Sequence, residues 1–175
     1  MRTVQELLDQ NILSIKLNIL LFGPSLAGTS RSDREESLRN KRKAIRLNLE
    51  NAGHRVDYPE EIIGRNFPEP ALNPALQELL IAREYDLIVN LVETPGTIFE
   101  AGMFAMKPDI ASKSILFICE EFRDGLPFQG CQQYKTLEGQ LFEFKYPDDI
   151  IACHLIGKVA EQISRIQIGR YLSLG

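Results

Sequence analysis

Residues 87 to 105 read LIVNLVETPGTIFEAGMFA, the most apolar run in the chain followed at once by a Pro/Gly turn and a helical pattern. Leu87 to Val92 is six residues long and nearly all aliphatic. A short continuous apolar run closed by turn residues reads as a strand buried on both faces, and such strands belong to parallel sheets covered by helices. The segment behind it raises the functional question. Thr97-Ile98-Phe99-Glu100 has the S/T-x-x-E spacing of a capping box, so Glu100 can be a helix cap. Gly102 lies two positions on, inside a helical turn where glycine costs roughly 1 kcal/mol relative to alanine, which suits a helix that something approaches closely. A carboxylate near a helix N-terminus is also favoured in its ionised form. From the residues alone, cap and functional carboxylate both stand.

Two further runs share the character of Leu87 to Val92, namely Leu17 to Phe22 and Ser114 to Cys119, and weaker strand signals lie at His54 to Tyr58 and Leu141 to Lys145. Helical patterns separate them at Asp33 to Ala52, Asn73 to Arg83, Thr97 to Met106 and Asp148 to Gly169. This alternation predicts a doubly wound, flavodoxin-like α/β domain, with a five-stranded parallel sheet of order 2-1-3-4-5 and helices on both faces. The domain is expected over residues 17–175, behind a helical extension at 1–16. Residues 120–140 read as polar and irregular, and Phe67 to Pro74 as a Pro-rich loop or lid.

The composition narrows the function. The chain has 175 residues, 44% hydrophobic and 25% charged, with a formal net charge of -4. An acidic balance argues against a nucleic-acid polymer as partner and leaves small molecules. The apolar runs are far shorter than the roughly 18 to 20 residues of a membrane span, and a cytoplasmic location without membrane attachment is expected. The three cysteines form no C-x-x-C pair, and His54 and His154 have no second ligand at metal spacing, so neither disulfides nor a metal is expected. His54 reads as a turn or surface histidine. Arg39, Lys41, Arg42, Lys43 and Arg46 follow Asp33, Glu35 and Glu36 in one helical pattern, and their order suits the helix dipole, which makes them a solvated face first and an attractor of anions second.

In a sheet of order 2-1-3-4-5 ligands bind beyond the carboxyl ends of the first and third strands. The loops there are Gly23 to Ser32 and Glu93 to Thr97. The first is Gly/Ser/Thr-rich, with Ser25, Gly28, Thr29 and Ser30 placed to offer backbone amides to a phosphate or sugar hydroxyls. In the second, Glu93 ends its strand and Gly96 and Thr97 open the helix; with Phe22 and Gly23 on one side and Met103 on the other, these residues outline a substrate cleft. Asp86 stands at the opposite, amino end of its strand and reads as structural.

LLFGPS after the first strand, ALQELLIAREYDLIVNL and GTIFEAGMFA together resemble the nucleoside 2-deoxyribosyltransferases and the 2'-deoxynucleoside 5'-monophosphate N-hydrolases over residues 17 to about 120. The specific match is a D-x-x-V strand, carried by Asp86 and Val89, followed by a small-residue loop and x-x-E-x-G, carried by Glu100 and Gly102. The resemblance implies an N-glycosidic bond as the target and Glu100 as nucleophile on the anomeric carbon. It also implies Glu78, eight positions before Asp86, as the second catalytic acid, where the family usually has Asp. A nucleoside or nucleoside 5'-phosphate as substrate, no cofactor, and a homo-oligomer follow from the same likeness. Two departures stand out: Leu20-Leu21-Phe22 occupies the place of the family's first-strand tyrosine, and ETPGT replaces its Asp-bearing loop. G-T-x-x-E also resembles the motif of the cytokinin-activating phosphoribohydrolases. The alternative from another class is a nucleotide-binding sensor without turnover; a receiver-like signalling module fits less well, because the first strand lacks the acidic residues such a site needs.

Overall fold

Every residue of Leu87–Val92 and of Ser114–Cys119 is buried in the computed structural model, which describes residues 10–66 and 73–173. These runs are the central strands of one sheet. In chain order the elements are β1 (Asn18–Phe22), α1 (Asp33–Asn51), β2 (Arg55–Asp57), α2 (Pro59–Asn66), α3 (Pro74–Arg83), β3 (Leu87–Val92), α4 (Pro95–Ala105), α5 (Pro108–Ala111), β4 (Ser114–Cys119), a 3₁₀ turn (Glu120–Phe122), α6 (Leu126–Thr136), β5 (Gln140–Phe144), α7 (Asp148–Ile151) and α8 (His154–Ser173). The sheet has five strands in the order β2-β1-β3-β4-β5, and all four pairings are parallel. Fold class and strand order are those read from the alternation of apolar runs and helices.

Side-chain alternation along the strands builds two cores. Ile19, Leu21, Val89, Leu91 and Phe117 face one way and meet Leu38, Ile45 and Leu49 of α1 with Leu155, Val159 and Ile163 of α8. Leu20, Phe22, Ile88, Val92 and Leu116 face the other way, onto Ile81 of α3, Ala101 and Phe104 of α4 and Tyr134 of α6. Burying side chains of this size stabilises the fold by about 1.5 to 3 kcal/mol each. Because α1 leaves β1 for one layer while α4 leaves β3 for the other, a crevice opens between the carboxyl ends of those adjacent strands.

Three local expectations are corrected. Residues 120–140 are not irregular: α6 occupies Leu126–Thr136, with Phe128, Cys131 and Tyr134 buried three residues apart. The last helical stretch is two helices, α7 and α8, with Ala152 in an extended conformation after the first. His54 is no surface residue, since it is buried and its Nδ1 accepts a hydrogen bond from the Leu17 amide at 3.2 Å. Asp86 is structural as expected, accepting from the Asn18 amide at 2.7 Å and pairing with Arg170. Of the helical extension, residues 10–14 are helical and residues 1–9 lie outside the described residues. The Pro-rich loop falls mostly there as well, in residues 67–72.

Candidate active site

The first turn of α4 decides what Glu100 is not. The helix begins at Pro95, with Thr94 as N-cap, so Thr97 stands at the third helical position rather than at the cap. The Thr94 hydroxyl accepts from the Thr97 amide at 3.4 Å, and the Thr97 hydroxyl accepts from the amides of Thr94 and Glu93 at 2.8 and 2.9 Å. The capping box is therefore Thr94 with Thr97. The spacing of Thr97 to Glu100 was misleading because a threonine can play the reciprocal partner as well as the cap. Glu100 lies in the second turn, where no capping duty remains.

Glu100 instead lines a cavity of about 240 Å³ at the crevice. The end of β1 contributes Phe22, Gly23 and Ser25, and the start of α4 contributes Thr94, Gly96, Thr97 and Glu100. Glu78 enters from α3, Pro59, Glu60 and Ile63 from α2, and Arg42 from α1. Phe22 is fixed edge-on to Phe104, with ring centroids 5.1 Å apart.

The charges of this cavity are unbalanced, three carboxylates against one guanidinium. Glu100 Oε2 is buried and has no hydrogen-bond partner among the described residues. Burial, followed by repulsion from Glu78 and Glu60, pushes the Glu100 carboxyl up to about 8, against the pull of Arg42. Glu78 is raised as well, by burial and then by Glu60. Neighbouring carboxylates in a largely buried site resist ionising together, so the pair retains a proton at neutral pH.

Arg42 was not legible as a site residue. It is 1% exposed, and the reading of its cluster as a solvated face fails for it and for buried Arg39. Nε and Nη2 of Arg42 donate to Leu21 O at 3.2 and 2.7 Å, and Nη1 donates to Pro24 O at 3.2 Å. Nη1 and Nη2 also form a fork on the Glu60 carboxylate at 2.8 and 2.9 Å. The guanidinium lies over the Tyr58 ring at 4.3 Å.

Other expected site residues lie off the cavity wall. The loop carrying Gly28, Thr29 and Ser30 is tied to α1, with Arg39 donating to Gly28 O at 3.0 Å and to Thr29 O at 3.4 Å. Gly28 adopts φ 74°, the left-handed conformation glycine allows. The N-terminus of α1 holds one of its own acids, for the Arg31 amide donates to Glu35 Oε2 at 3.0 Å. Glu93 is gripped by Arg34, whose Nε donates to both carboxylate oxygens at 2.8 and 2.9 Å, and Arg34 also pairs with Glu121. Met103 packs against the core on the α4 side. Gly102 is exposed, and a Cβ there would meet nothing within 4 Å among the described residues, so none of them exploits the room it leaves.

Among the described residues no group of three His, Cys, Asp or Glu is arranged to hold a metal ion, and no helix is long and apolar enough to cross a membrane. Residues 35–128 match the model of the family described as STM3845 retron effector protein. That span is more than half of the chain and carries Arg42, Glu60, Glu78 and Glu100. The chain belongs to the STM3845 retron effector protein family. No curated protein matches it.

Proposed function

We propose that the protein cleaves the N-glycosidic bond of a nucleoside or nucleoside 5'-phosphate, with Glu100 as nucleophile and Glu78 as proton donor. One observation carries this reading: a carboxylate released from capping, with a buried and unpartnered oxygen, faces a cavity that also holds a second carboxyl, whose pKa burial and Glu60 raise above the ordinary value. A buried acceptor without a partner costs about 1 to 3 kcal/mol or more, and a ligand bound in the cavity would supply the missing partner. The likeness to the deoxyribosyltransferases, read from the motif around Glu100, supports the same assignment.

In the reactive proton arrangement Glu100 is ionised and Glu78 protonated. A Glu100 oxygen attacks the anomeric carbon as the bond from that carbon to the base nitrogen breaks. The electron pair leaves with the base, which takes the Glu78 proton. Water then attacks the anomeric carbon of the glycosyl ester, gives its proton to Glu78 and frees Glu100; a second base in place of water gives transfer. Phe22 offers an apolar edge to the leaving base, and Ser25 with the Gly96 amide offers polar contacts to the sugar. An effector role, as the family description has it, is compatible with an activity that consumes nucleosides or nucleotides.

We further propose that the working form is a homo-oligomer. Phe99 on α4 and Met106 at its C-cap are 61% and 80% exposed, with Gly102 between them in sequence. This is a large apolar exposure on the helix that carries Glu100.

The experiment is base release, followed by chromatography, from a panel of nucleosides and nucleoside monophosphates. Wild type releases base, and Glu100→Gln and Glu78→Gln lose most of that activity. A rival outcome, nucleotides raising the melting temperature with no base released, assigns the cavity to a sensor. That rival draws on Phe22, which supplies no hydroxyl where the resembling family has one.

A further inference from the structure

Resting on the assignment of Glu100 as the reactive carboxylate, we propose that Arg42 is a positioning residue that eases the ionisation of Glu100, with Glu60 and Gly23 fixing where its positive charge sits. All five N–H donors of Arg42 are engaged by Leu21 O, Pro24 O and Glu60. Arg42 therefore has no donor left for a substrate anion and acts in the cavity as a fixed charge. Its stem is equally constrained: a Cβ on Gly23 would lie 2.9 Å from Arg42 Cδ, so glycine is what lets the side chain pass under the end of β1.

The groups acting on Glu100 come from three helices. All of them line the same cavity of about 240 Å³, where Glu78 of α3 and Glu60 of α2 oppose its ionisation and Arg42 of α1 favours it. Glu60 acts twice, repelling Glu100 directly and holding the guanidinium in place through the fork. Its side chain is 46% exposed, so water screens its repulsion more than it screens the buried guanidinium. Arg42 thus offsets part of the cost of a charged Glu100 without touching the substrate.

The test is a carboxyl 13C NMR titration of Glu100 in protein labelled at glutamate, assigned by comparison with Glu100→Gln. Turnover plays no part in it, so it stands apart from the glycosidase reading. Arg42→Met and Gly23→Ala move the Glu100 midpoint upward, the second by displacing the guanidinium. Arg42→Lys, which keeps the charge, recovers part of the shift. Glu60→Gln keeps an acceptor for the fork but removes a negative charge, and it moves the midpoint downward. Should Arg42→Met fail to fold, Gly23→Ala and Glu60→Gln still give opposite shifts. A Glu100 midpoint unmoved by Glu60→Gln and by whichever of Arg42→Met and Gly23→Ala folds overturns the proposal and leaves Arg42 as a structural strut.

Discussion

Glu100 is held at a cost, and the cost has a sign. Its carboxyl titrates near 4.5 in an unfolded chain and near 8 in the fold, so the folded state keeps a proton that the unfolded state has lost across that interval. Stability therefore falls as pH rises from about 4.5 to about 8. Glu100→Gln has no proton to lose. Its melting temperature exceeds that of wild type by a margin that widens over this range and then levels, as thermal melts at stepped pH will show. For the proposed cleavage, the catalytic profile is expected to carry the same signature. Above about pH 8 the Glu78–Glu100 pair loses the proton a departing base needs, so kcat/KM declines there, whereas in Glu78→Gln residual activity rises with pH as Glu100 ionises. His54 behaves oppositely: burial and Lys16 lower its pKa below the usual 6.5, and its Nδ1 must stay unprotonated to accept from Leu17. Its contribution is present at neutral pH and is lost as pH falls below about 6.5. At this scale Glu100 was legible as a candidate from the segment behind the apolar strand, and Glu78 only through the resemblance to the deoxyribosyltransferases. Arg42 was not, since charges spaced along a helix look alike whether they face water or the end of a strand, and only the meeting with Gly23 and Glu60 distinguishes this one.

Helix α4 separates the roles that its sequence had blurred. Thr94→Ala removes the cap and should destabilise the protein by about 0.5 to 2 kcal/mol in denaturant unfolding, while Glu100→Gln shows no such loss. Equal destabilisation by both would return Glu100 to a capping role. The strands and long helices were readable from apolar runs and charge order. Helix α6 was hidden because Gln129, Gly130, Gln132, Gln133, Lys135 and Thr136 fill most of its exposed positions, leaving the three-residue stripe Phe128, Cys131 and Tyr134 as its buried signal. Tyr134 also donates to Ala101 O at 2.6 Å, tying α6 to the helix that carries Glu100. The division between α7 and α8 leaves no glycine or proline at the break itself, so the pattern there ran on as one helix.

For the whole molecule, sheet order followed from three buried runs, and it places the crevice between β1 and β3 before any side chain is considered. The identity of the walls did not follow, because Glu60, Glu78 and Arg42 reach the cavity from three helices whose relative placement is set only by packing. The apolar surface of α4 bears on assembly. Wild type should sediment as an oligomer at micromolar concentration, and Phe99→Glu with Met106→Glu should sediment as a monomer; a monomeric wild type removes the oligomer from the account. The central claim is that Glu100 breaks an N-glycosidic bond, and the most direct measurement is base release by wild type and Glu100→Gln side by side, at pH 7, across nucleosides and their monophosphates. The account predicts release by wild type and a loss of at least about 10²-fold in Glu100→Gln, the scale expected when a nucleophile is removed. Equal release by both proteins would contradict it.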